Sequence, residues 1–206
     1  MLYNNNYKTE VIMPPKAKIT KEMVLDTAFH IVQKEGADKV TARSISERLN
    51  CSTQPVLYYF STVEDIKKAV YKKADEYHTN YIMDAKIDHG DPMLAIGMNY
   101  IKFAAAERNL FRFLFQSDKF SGVGILDLLE SEELLPILTV LQNELDMSME
   151  DTKDVFSTLF IFVHGYASLY ANNTMIYDEL NVRKALETMF YGAICARKGE
   201  QREKDI

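Results

Sequence analysis

With 206 residues, 47% of them hydrophobic, and a net charge of −6 at pH 7, the chain can bury a core without disulfides or metals and is too acidic for indiscriminate nucleic-acid binding. Its two cysteines, Cys51 and Cys195, belong to no CxxC or Cys/His spacing and read as reduced thiols. No apolar run approaches the ~20 residues of a membrane span and MLYNNNYKTEVIM lacks the order of a signal peptide, so the expectation is a soluble, cytoplasmic protein with no membrane partner.

Residues 1–13 read as an arm or upstream extension. Met13-Pro14-Pro15-Lys16 looks more like a natural start than Met1, so residues 1–12 are expected to be dispensable. Thr20 is a capping candidate for MVLDTAFHIVQKEG, in which Val24, Ala28, Ile31 and Val32 recur at helical spacing and Gly36 supplies a stop. Thr41 caps a second helix, ARSISERL, with Ile45 and Leu49 facing inward. Asn50, tolerant of a left-handed backbone, then breaks the chain, and Ser52 caps a third helix beginning at Thr53.

In LNCSTQPVLYYF, Pro55 falls at the third helical position, where its missing N–H removes no intrahelical bond. Val56 and Phe60 take the buried face, leaving Ser52, Thr53, Gln54 and either Tyr58 or Tyr59 to point outward. Adjacent helical residues diverge by about 100 degrees, so both tyrosines cannot face inward. Two short helices around such a turn predict a helix-turn-helix, the later helix suited to a DNA major groove.

Ser61 and Thr62 with Glu64 and Asp65 offer two capping-box registers for a longer helix through Met83. IDHGDP, around Gly90 and Pro92, reads as a linker, followed by helices near 92–107, 109–117, 131–146, 149–172 and 181–198, with a loop at Gly122 and Gly124. No hairpin dipeptide separates alternating apolar runs, so the fold class expected is all-α. Its parts are a three-helix head at 14–61, a connecting helix at 62–83 and a helical body at 84–206. Residues 1–61 carry eight Lys/Arg against six Asp/Glu, and residues 62–206 carry 16 against 24, a weakly basic head on an acidic body. That asymmetry suits a DNA reader with local phosphate contacts.

VLDTAFHIVQKEG, followed by VTARSISERLNCSTQPVLYYFSTVEDIKKAV, resembles the first four helices of the TetR/AcrR family of transcriptional regulators, without a gap. FVHGYASLYANN at 162–173 is similar to a His-Gly segment in one group of that family's regulatory domains. The resemblance implies a homodimeric, ligand-responsive repressor whose body binds a small effector and dimerises, and whose head reads a palindromic double-stranded DNA operator. It implies base contacts by Arg43 and Gln54, phosphate contacts by Thr41, Tyr58 and Tyr59, and contacts of either kind by Ser52 and Thr53. Lys16 and Lys18 add charge on the arm.

The sequence departs from the family pattern at three places. Asn50 replaces the usual turn glycine, Leu57 the first aromatic of the tyrosine pair, and Val63 the basic residue that opens the fourth helix, a role Lys67 or Lys68 could take over.

In the body, Phe103, Phe111, Phe115, Phe160 and His164 are the candidate lining for an apolar or amphipathic effector. Gly165, Ala167, Gly192 and Ala193 permit close approach of a second subunit. No metal site and no cofactor are expected. An enzyme is disfavoured: His30, His78, His89 and His164 sit in no motif that brings them to a nucleophile, and there is no glycine-rich phosphate loop. The competing readings are an activator or co-activator working with a protein partner, a DNA-binding architectural protein, and an all-α enzyme.

Overall fold

The computed structural model describes residues 19–84, 91–116, 130, 134–173 and 175–204, with side chains described as far as residue 199. Lys16, Lys18, the Met13 start, most of the IDHGDP linker and the Gly122/Gly124 loop lie outside these residues. Among the described residues the protein is all-α. Its helices are α1 (Lys21–Glu35), α2 (Ala42–Arg48), α3 (Thr53–Tyr59), α4 (Val63–Met83), α5 (Pro92–Ala106), α6 (Arg108–Phe115), α7 (Leu135–Leu145), α8 (Met149–Asn172) and α9 (Glu179–Lys204). A 3-10 turn at Ala37–Lys39 joins α1 to α2.

Capping residues set most of the starts. Thr20 Oγ1 accepts from Met23 N at 3.2 Å, and Ser148 Oγ accepts from Asp151 N at 3.1 Å. Thr41 closes a reciprocal box with Ser44: its Oγ1 accepts from Ser44 N at 2.9 Å while its own N–H donates to Ser44 Oγ at 3.0 Å. At α4 the register is Thr62 with Asp65, each bonding the other's backbone N–H at 3.1 Å. Thr62→Ala is therefore expected to cost about 1 kcal/mol, read as a fall of about 2–4 °C in thermal midpoint. Ser52 holds the N-cap position of α3 in extended backbone but makes no side-chain capping bond, contrary to expectation.

Stops are equally local. Gly36, at φ 96°, ends α1 in a conformation that favours glycine, and Asn50, at φ 50°, turns the chain between α2 and α3. The body helices run somewhat differently from their sequence-based bounds, α7 beginning at Leu135 rather than 131 and α9 extending past 198.

One continuous core runs from Val24 in α1 to Phe190 in α9. α5 lies at its centre, packed on α4, α6, α8 and α9, while α1 rests on α4 and α6. At Gly97 an added Cβ would sit 3.0 Å from Leu186 Cδ2, so glycine there permits the close approach of α5 to α9. Lys73 on α4 pairs with Asp26 on α1 and lies 5.7 Å over the Phe29 ring, fastening the connecting helix to the head.

Candidate functional site

Three groups of residues hold the expected functional side chains. The first is the surface of α2 and α3. Val56 and Phe60 bury the inner face of α3, which leaves Ser52, Thr53 and Gln54 exposed and Tyr58 81% exposed. The tyrosines diverge as the helical geometry requires. Tyr59 is half-buried, and its hydroxyl donates to Ile19 O at 3.0 Å. That bond ties the end of α3 to the residue before the α1 cap, and a phosphate contact by Tyr59 would have to displace it.

Three further expectations change in detail. Arg43 stands exposed at the start of α2, but its Nε donates to Glu47 Oε1 at 2.8 Å, so a base contact would have to displace an exposed ion pair. Thr41 is exposed too, with its hydroxyl engaged by Ser44. At α4, Lys67 is half-buried and paired with Glu64 at 3.2 Å, whereas Lys68 is exposed.

The second group is an aromatic cluster in the body. It brings together all five expected lining residues and two others the sequence reading passed over, His78 and Tyr100. Phe103 and Phe111 are fully buried at its base, and Phe115, Phe160 and His164 are half-buried at its margin. Tyr100 lies among Phe111, Phe115 and Phe160 at centroid distances of 5.8, 5.5 and 6.4 Å, and its hydroxyl shares a 3.0 Å hydrogen bond with His164 Nδ1.

His78 meets Phe103, Phe115 and Tyr100 edge-on at 4.8, 5.0 and 5.3 Å. Burial lowers its pKa from the ordinary 6.5 to about 4, lowers that of His164 as well, and raises that of the Tyr100 hydroxyl. Both imidazoles are therefore neutral at pH 7. The register Ile66, Val70, Ala74, His78 repeats every fourth residue along the buried face of α4, and that spacing was the signal for a buried histidine.

A polar joint lies between this cluster and the head. Glu107, where α5 gives way to α6, accepts from Gln33 Nε2 of α1 at 2.9 Å and from the Tyr77 hydroxyl of α4 at 3.2 Å. Asn109 Nδ2 donates to Gln33 O at 3.1 Å. At the far end of α4, Asn99 of α5 donates to the carbonyls of Tyr81 and Ile82 at 3.3 and 3.4 Å.

The third group is the outer face of α8 and α9. Thr158, Ile161, Gly165, Leu169 and Asn172 form an exposed stripe without charge on α8, and Thr188, Tyr191, Gly192, Cys195 and Ala196 form another on α9. A groove of about 500 Å³ beside them is lined by Phe162, Ala185, Met189 and Gly192 among others. Ala167 is corrected: it is fully buried in the chain's own core. Ala193 is half-buried and packed against that core, so of the four expected interface residues only Gly165 and Gly192 are exposed.

No group of His, Cys, Asp and Glu among the described residues could hold a metal ion, and no described helix is long and apolar enough to cross a membrane. No family model matches the chain, and no curated protein matches it significantly.

Proposed function

We propose that the protein is a ligand-responsive transcriptional regulator of the TetR/AcrR type, acting as a homodimer on a palindromic operator. The observation that carries this reading is α3 itself. It is a short helix after a left-handed turn at Asn50, anchored by Val56 and Phe60, that turns the uncharged hydrogen-bonding groups of Thr53, Gln54 and Tyr58 outward, with the apolar Leu57 exposed beside them. A helix so anchored and so dressed suits base-edge reading, with Gln54 pairing adenine N6 and N7 and Tyr58 donating to a phosphate. α1–α3 form the helix-turn-helix head of this reading, and the two heads of a dimer would enter major grooves about 34–36 Å apart.

In the same reading the aromatic cluster is the effector site, and Glu107 is the joint through which its state reaches the head. The carboxylate bonds α1 and α4 together, so a shift at the α5–α6 corner bears on both. An effector acts only through its different affinities for the DNA-bound and free arrangements.

The experiment is a mobility shift on the chain's own upstream DNA, at two salt concentrations, with Gln54→Ala and Tyr58→Phe beside wild type. Gln54→Ala is expected to lose about 5- to 150-fold on operator and little on competitor DNA, the equivalent of about 1–3 kcal/mol for a lost bidentate base contact. Tyr58→Phe is expected to lose about fivefold on both, as a lost phosphate donor would. Equal binding of operator and competitor by wild type would overturn the reading.

A further inference from the structure

The ring of Phe115 touches four others at once: Phe111 and His78 at 5.0 Å, Tyr100 at 5.5 Å and His164 at 6.1 Å. It is also the last residue of α6 and only half-buried, so turning it outward would free the face that each of the four presents to it. Behind it, His78 is 6% exposed, and its Nε2 is buried with no hydrogen-bond partner. Such a nitrogen is an unmet demand in the folded protein. The neighbouring polar groups make no such demand, because the Tyr100 hydroxyl and His164 Nδ1 already satisfy each other.

We infer that this is a site for an uncharged aromatic ligand carrying one hydroxyl or carbonyl group, a simple phenol being the type, with its ring where the Phe115 ring now lies and its polar group at His78 Nε2. The inference rests on the reading of the cluster as the effector site and names the chemistry it selects. Aromatic walls favour a flat ring in edge-to-face contact. A neutral imidazole offers a donor or an acceptor at Nε2 according to its tautomer, so it serves a hydroxyl or a carbonyl equally. A carboxylate or ammonium finds no opposite charge among the rings that contact Phe115, and its desolvation would go uncompensated.

The test uses the full chain carrying Phe115→Ala, which leaves a space the size of the missing ring, with its histidines ¹⁵N-labelled. Phenol, benzene and benzoate are titrated separately. The expected result is a saturable shift of the His78 ring nitrogens with phenol, affinity at least about tenfold above that for benzene, and no saturation with benzoate; a tenfold preference is about 1.4 kcal/mol. His78→Phe in the same background should erase the preference for phenol over benzene. Equal affinity for phenol and benzene, preference for benzoate, or saturation with none of the three would overturn the assignment. If Phe115→Ala does not melt cooperatively, Phe115→Leu is titrated in its place and judged by the same outcomes.

Operator binding by the same samples separates the two readings. Phenol discrimination without operator binding keeps the site and removes the regulator, and operator binding without discrimination does the reverse.

Discussion

Gly192→Glu is expected to give a folded, helical monomer that has lost about 10²- to 10⁴-fold of its affinity for a two-half-site operator. In the proposed dimer, two heads joined in one particle would bind the second half-site at high effective concentration, and separating them would forfeit that advantage without touching the proposed DNA contacts. Gly192 is suited to the test because it lies exposed on α9, and an added Cβ would meet nothing within 4 Å. Glutamate is also the better helix former, so the monomer should lose no stability. In a two-fold interface the substitution appears twice, setting two carboxylates into the uncharged stripes of α8 and α9. Ala193 would be a poorer probe, since a charge there would enter the chain's own packing. The checks are mass by sedimentation and operator affinity by mobility shift, with Gly192→Ala as the control expected to dimerise normally. A Gly192→Glu protein that stayed dimeric with unchanged affinity would remove this face from the proposed dimer interface.

Local chemistry accounts for what was legible in the sequence. Thr20, Thr41 and Thr62 announce helix starts because a hydroxyl before an apolar-periodic run has orphan N–H groups to cap. Asn50 and Gly36 announce stops because they tolerate backbone that other residues avoid. The outward turn of Tyr58 follows from the inward turn of Val56 and Phe60, all within one short helix and its C-cap.

What was not legible depends on partners distant in sequence. Tyr59 is held by Ile19, forty residues away, and Gln33 meets Glu107 across seventy-four, and no periodicity encodes either pairing. Ala167 looked like a small contact residue beside Gly165, but two helical positions differ by about 200 degrees, so exposure of Gly165 turns Ala167 into the core. His78 was the readable omission. Its fourfold register with Ile66, Val70 and Ala74 placed it inside, but it was weighed only as a catalytic candidate.

That buried histidine should make stability fall steeply in mild acid. Its pKa is about 4 in the folded protein against an ordinary 6.5, and burial is the cause. A group whose folded pKa lies below its unfolded value is protonated first in the unfolded chain. Between about 6.5 and about 4 the unfolded state therefore binds the additional proton, and stability falls as pH falls through that interval, levelling out below about 4. The full difference is worth about 3 kcal/mol, a large share of the about 5–15 kcal/mol that holds a typical domain together. Carboxylates titrate in the same range, so the quantity to measure is the difference between wild type and His78→Phe in urea midpoints at pH 7, 6, 5 and 4. Phenylalanine keeps a ring against Phe103, Phe115 and Tyr100 and removes the unpaired nitrogen, so the variant should be close to wild type in stability at pH 7. It should then pull ahead steadily as the pH is lowered to 4. Parallel curves would mean that His78 is protonated as easily in the folded protein as outside it, which would require water or a compensating charge at Nε2.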